Sequence, residues 1–173
     1  GAGAVGPFSE LSLNTMRSVF EIDFFAPVEL VYKSLPLLEN GDAPAVVLIG
    51  SILGVHPLPL HGGYAAAKAA LHGFAGAVRP ELASLGIDVH VAILGPTESE
   101  FWDSLVSGER ASWSQGRPLP AKTTATSIIA ALERGRATVI PGWRAKTYVF
   151  LSRFFPILID LFVRWKRRYF RQL

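Results

Sequence analysis

Three short Val/Ile-rich runs constrain this chain more than any other feature: residues 45–50 (AVVLIG), 87–94 (IDVHVAIL) and 137–141 (ATVIP). Each is nearly continuous in apolar residues rather than alternating. Strands of that kind have both faces covered, as in a parallel sheet with helices above and below. The stretches between the runs have helical character. Residues 13–37 follow a capping candidate at Ser12, and Pro27 is expected to bend that helix. Residues 64–85 are Ala-rich and stop at Gly86, and residues 121–134 stop at Gly135. The alternation predicts right-handed parallel crossovers and an α/β layer fold. Residues 98–120, with Ser, Gly, Pro and two Trp, read as a long loop of the kind that covers sites.

The 173 residues are 50% hydrophobic and 18% charged, which allows a core and excludes a disordered chain. There is no Cys, so disulfide frameworks, thiolate metal sites and a cysteine nucleophile are excluded. The net charge of +3 is unevenly placed. Residues 143–173 carry eight Lys/Arg and one acid, +7, while residues 1–142 carry nine bases and thirteen acids, −4. The basic excess therefore belongs to a tail and not to a nucleic-acid-binding body. In that tail Arg153, Asp160 and Arg164 interrupt every run long enough to span a bilayer. Read as a helix, residues 149–169 put Phe150, Phe154, Ile157, Leu158, Leu161 and Trp165 on one stripe, which Pro156 bends. Arg164, Lys166, Arg167, Arg168 and Arg171 follow, with Trp165 and Tyr169 among them. Peripheral membrane contact through residues 147–173 is the expectation. The alternative is that the stripe packs on the body or a second subunit and the bases are solvated.

Ligands of an open parallel sheet bind outside the carboxyl ends of its strands. Ser51 leaves the first run at that edge, Leu94-Gly95-Pro96-Thr97 leaves the second, and the helix beginning near Tyr64 opens beside them. Tyr64 and Lys68 are four apart and share a helix face. A phenol with pKa of about 10 is a poor acid/base at neutral pH. An adjacent ammonium favours the phenolate and lowers that value. Tyr64 then suits proton exchange with a carbonyl or alcohol oxygen that Ser51 holds by a hydrogen bond. No side chain supplies hydride, so such chemistry needs a carrier. The plainer reading is a surface tyrosine beside a solvated lysine.

In LIGSILGVHPLPLHGGYAAAKAALHGF, the placement of Ser51, Tyr64 and Lys68 resembles the short-chain dehydrogenase/reductase family, and LGPTESEF resembles that family's loop after the next strand. The resemblance covers residues 1–142. It implies a partial Rossmann-like α/β fold of three parallel strands with flanking helices, followed at 143–173 by the basic amphipathic helical tail. It implies an NAD(P)-dependent oxidoreductase with NAD or NADP as cofactor and a small, apolar carbonyl/alcohol substrate. Tyr64 would be the acid/base, Lys68 would also hold the nicotinamide ribose, and Gly95, Pro96, Thr97 and Ser99 would face the nicotinamide and pyrophosphate. Leu94 stands where the family has proline, and Ser99 where it has threonine. Asp23 replaces the Asn that props a water beside the catalytic lysine. An acid there would stabilise the Lys68 ammonium and weaken its effect on Tyr64; alternatively Asp23 simply partners a nearby base. The family's Gly-rich cofactor loop and first strands have no counterpart here, so the expectation is the carboxy-terminal portion of a longer enzyme.

Other motifs carry less. GAGAVG at the start has the Gly-x-Gly-x-x-Gly spelling but neither a strand before it nor a helix on its last Gly, and reads as a flexible loop. Gly50 and Gly54 miss the nucleophile-elbow spacing around Ser51 by one position. His56 and His61 read as loop or lining residues, and His72 and His90 as structural. No His/acid spacing supports a metal. Phe101, Trp102 and Trp113 suit either an apolar pocket or packing under the long loop. Ala65, Ala66, Ala69, Ala70 and Gly73 allow close helix approach, so a homo-oligomer is expected, with packing on the sheet as the alternative. The expected location is cytoplasmic, with the tail making a membrane-peripheral place the variant of that reading. A non-catalytic fragment or membrane-surface module on the same scaffold is the rival function.

Overall fold

All three apolar runs become strands of one parallel sheet. β1 (Ala45–Ser51) pairs with β2 (Asp88–Leu94) from Ala45↔Asp88 to Ser51↔Leu94. β2 pairs with β3 (Thr138–Val139) through Val91↔Thr138 and Ala92↔Val139. The order is β1-β2-β3. This computed structural model describes residues 1–109 and 117–166.

The first helical stretch is divided. α1 (Leu13–Phe20) begins on Ser12, whose hydroxyl accepts the Thr15 N–H. A π turn at Glu21–Phe25 follows, and α2 (Ala26–Leu38) continues beyond it. The interruption lies just before Pro27 rather than at it. In a regular helix Pro27 would lack a bond to the carbonyl of Asp23 and its ring would clash with it. The π turn widens that ring: the Ala26 N–H bonds to Glu21 O, five residues back. α3 (Gly62–Ala83) crosses back from β1 to β2, and α4 (Ala121–Leu132) leads to β3. Gly86 and Gly135, at φ +76° and +62°, take the left-handed backbone that ends these helices.

The core lies between the sheet and α2–α3. Val46, Leu48, Val89 and Val91 of the strands meet Leu71 and Ala75 of α3. The other edge of β1 pairs with no strand among the described residues. A groove of about 370 Å³ follows that edge, between β1 and Leu30, Val31, Ser34 and Leu38 of α2.

The opening GAGAVG segment is packed, not a free loop. Ala2, Ala4 and Val5 are buried. Val5 N donates to Ser107 O, and Val106 N donates to Gly3 O. On α3, Ala65 is buried against the body while Ala66, Ala69 and Gly73 face outward, so the small residues serve both directions. The tail forms α5 (Trp143–Phe154) and α6 (Pro156–Trp165), with Pro156 separating two helices rather than bending one. Tyr169, Arg167, Arg168 and Arg171 of the predicted tail, and Trp113 of the long loop, lie outside the described residues.

Leu71 is 1% exposed. Leu71→Ala is expected to lower stability by about 2–5 kcal/mol through the cavity it leaves. Leu30→Ala, on the exposed side of α2, should change it by less than about 0.5 kcal/mol. Urea unfolding of both variants checks the contrast.

Candidate active site

The carboxyl end of β1 carries Ser51, and two glycines let α3 lie close upon it. A Cβ at Gly50 would meet His72 Nε2 at 2.1 Å, and one at Gly54 would meet the Lys68 backbone at 2.8 Å. In the space left open, Ser51 N donates to His72 Nε2 at 3.3 Å, and the Ser51 hydroxyl accepts the Leu53 N–H at 3.2 Å. The Ser51 side chain also hydrogen-bonds the Tyr64 phenol. Leu60, at φ +69°, turns the chain from this end into α3, and its carbonyl accepts the Gly6 N–H.

α3 then presents Tyr64 and Lys68 on one face. Lys68 Nζ stands 5.8 Å from the centre of the Tyr64 ring. It donates to Ile49 O of β1 at 3.0 Å and pairs with Asp23 Oδ1 of the π turn at 2.9 Å. Asp23 Oδ2 accepts the Ala2 N–H at 3.2 Å. Lys68 is 6% and Asp23 1% exposed. The ammonium is thus compensated where removal from water would otherwise be costly. Asp23 stands beside Lys68, where an acid stabilises the ammonium.

The electrostatics of Tyr64 depart from the sequence expectation. Burial pushes its phenol above the ordinary value near 10; the Ser51 side chain acts to lower it, and the Asp23 carboxylate raises it further. The Lys68 ammonium is not among the causes acting on the phenol, and its charge is paired with Asp23. Tyr64 is therefore a protonated, donating phenol at neutral pH.

The loop after β2 is held by hydrogen bonds of its own. Thr97 Oγ1 donates to Gly95 O at 3.1 Å, and Ser99 Oγ accepts the Phe101 N–H at 3.4 Å, so these hydroxyls serve their own loop. Gly95 lies against Ala145 of α5. Phe101 tilts over Tyr64 with ring centres 5.2 Å apart, and Trp102 meets Phe101 edge-on at 5.2 Å. Both aromatics are half-buried, and Phe101 also lies against Gly3 of the opening segment.

His72 has a structural role at the site, accepting the Ser51 backbone N–H. Its spacing four residues beyond Lys68 was the available signal. His90 is structural: its Nδ1 lies 2.9 Å from Arg136 O. His61 is buried, 3.1 Å from Pro59 O through Nδ1. His56 pairs with Asp160 of α6 across 3.4 Å. No group of three His, Asp or Glu side chains suited to a metal occurs among the described residues.

Several known proteins are similar to this chain. The sequence model of a family described as short chain dehydrogenase matches residues 1–110. Human retinol dehydrogenase 8 is 35% identical over 107 residues, covering 62% of this chain and 34% of that protein. The uncharacterized oxidoreductase YbbO of Escherichia coli is 35% identical over 106 residues, covering 61% of this chain and 39% of that protein. The chain thus spans little more than a third of these curated relatives. A short chain dehydrogenase from Burkholderia cenocepacia, solved in complex with NADP, superposes with a TM-score of 0.80 at 21% identity, over 94% of this chain and 65% of that one. That likeness establishes the fold.

Burial holds His72 below its ordinary 6.5, with the Lys68 charge adding to the effect and a backbone hydrogen bond at Gly54 opposing it. Burial lowers His61 as well, against the Pro59 hydrogen bond. A folded-state value below the unfolded one gives stability that is complete above 6.5 and is lost as pH falls through the folded-state value. The urea midpoint is expected to drop between about pH 7 and pH 5, and His72→Gln should shrink that drop while leaving the His61 share. An unchanged pH dependence in His72→Gln would contradict the assignment.

Proposed function

The chain belongs to the short chain dehydrogenase family, and from that premise we propose that it carries the catalytic residues of an NAD(P)-dependent oxidoreductase interconverting a carbonyl and an alcohol. The observation that carries this reading is the convergence of Ser51, Tyr64 and Lys68 at the carboxyl end of β1, with the ammonium 5.8 Å from the phenol ring.

The donor set suits the nicotinamide-ribose end of a dinucleotide. A buried ammonium lies beside a phenol at the edge where open parallel sheets take ligands, next to the main chain of residues 95–99. Tyr64, Lys68, Gly95, Pro96, Thr97 and Ser99 would hold that end. When bound, the nicotinamide supplies or accepts the hydride.

The protein's own part is proton transfer and orientation. The Ser51 hydroxyl donates a hydrogen bond to the substrate oxygen and fixes its position. The Tyr64 phenol, kept protonated by burial, gives its proton to that oxygen as negative charge develops there. Lys68 stabilises the phenolate left behind, and Asp23 moderates that help by sharing the ammonium charge. In the oxidative direction the same groups run in reverse. Phe101, tilted over Tyr64, and Trp102 beside it favour an apolar substrate.

Tyr64→Phe in the protein containing this chain is expected to lower turnover at least about a hundredfold, because the proton donor alone is removed. Cofactor affinity should stay nearly unchanged. Lys68→Met should lower both. The measurement is nicotinamide oxidation with a panel of apolar ketones and aldehydes. Near-wild-type reduction by Tyr64→Phe would overturn the reading.

A further inference from the structure

We propose that the outward face of α5 and α6 is a docking surface for an anionic lipid bilayer. Phe150, Phe154, Ile157, Leu158, Leu161 and Trp165 all point away from the body, each at least 53% exposed. The opposite face is the one that packs. Val149, Ser152 and Ile159 are buried there, Tyr148 Oη donates to His56 O at 3.0 Å, and His56 meets Asp160 across 3.4 Å. The helices are therefore seated by one side, and their apolar stripe cannot turn inward without losing those contacts.

Charge selects the occupant. Asp160 is the sole acid of residues 143–173, against eight bases, and it is paired with His56 at the body side. Arg153, Arg164 and Lys166 flank the stripe, and the sequence continues with Arg167, Arg168 and Arg171. A second copy laid on this face would set Arg153, Arg164 and Lys166 against the same three bases. A negatively charged surface that accepts apolar side chains satisfies both features, and Trp165 has the amphipathic ring favoured at a membrane–water boundary. No helix among the described residues is long and apolar enough to cross a membrane, so contact is along the surface. Because α5 and α6 hold the loop that follows Ser51, a docked chain keeps that loop about one helix diameter, ~10 Å, from the lipid.

The test is co-sedimentation of the full chain with phosphatidylcholine vesicles, with and without phosphatidylserine. Binding is expected only with phosphatidylserine and should weaken at high salt. Arg164→Gln should weaken it about fivefold, one surface charge's worth. Leu161→Glu, at an exposed position, should weaken it more than about tenfold. Circular dichroism and vesicle-free light scattering accompany each variant. Absence of sedimentation with phosphatidylserine, or equal sedimentation of wild type and Leu161→Glu, would overturn the proposal. A vesicle-free mass that halves on Leu161→Glu would assign the face to a second copy and overturn it too.

Discussion

The ion pair between Lys68 and Asp23 ties together four segments that the chain brings from far apart. Lys68 comes from α3, Asp23 from the π turn, the Ile49 carbonyl from β1 and the Ala2 N–H from the opening segment. Each charge alone would be expensive at this depth. Together they are compensated only when all four segments are in place. The pair thus fixes where α3 crosses the end of β1, and with it where Tyr64 stands relative to Ser51. The π turn is part of the same constraint, because it gives the chain the extra residue needed to bring Asp23 inward ahead of Pro27.

In the proposed mechanism this arrangement would set the chemistry by balance rather than by one strong effect. Burial keeps Tyr64 protonated, which suits proton donation. Lys68 is close enough to stabilise the resulting phenolate, yet its charge is shared with a carboxylate. The family's Asn at position 23 would leave the ammonium less compensated. Asp23 therefore supports a site weighted toward the neutral phenol.

Much of the scaffold was legible in the sequence because parallel strands buried on both faces write themselves as continuous Val/Ile runs. β1 and β2 end within a residue of the runs that announced them, and Gly86 and Gly135 mark the helix ends by backbone conformation alone. The trio at the site was legible from spacing. What escaped depends on three-dimensional proximity. Nothing local in the sequence says that the Ala2 N–H meets Asp23, or that His72 receives the Ser51 N–H. Thr97 and Ser99 have hydroxyls that could serve either a ligand or their own loop, and the loop holds them. In the tail, apolar residues lie on both helix faces. Periodicity gave the stripe but not the side that packs, which Val149 and Ile159 decide.

The central claim is that Asp23 and Lys68 jointly set the proton affinity of Tyr64. The direct measurement is the pH dependence of alcohol oxidation by wild type and Asp23→Asn in the protein containing this chain. In the proposed mechanism Tyr64 is the base for oxidation, so the rate would follow the phenol's titration. Replacing the carboxylate removes an anion that raises the phenol and releases the ammonium that lowers it. The account predicts that the Asp23→Asn profile shifts to lower pH. A profile that stays in place or moves to higher pH would contradict it.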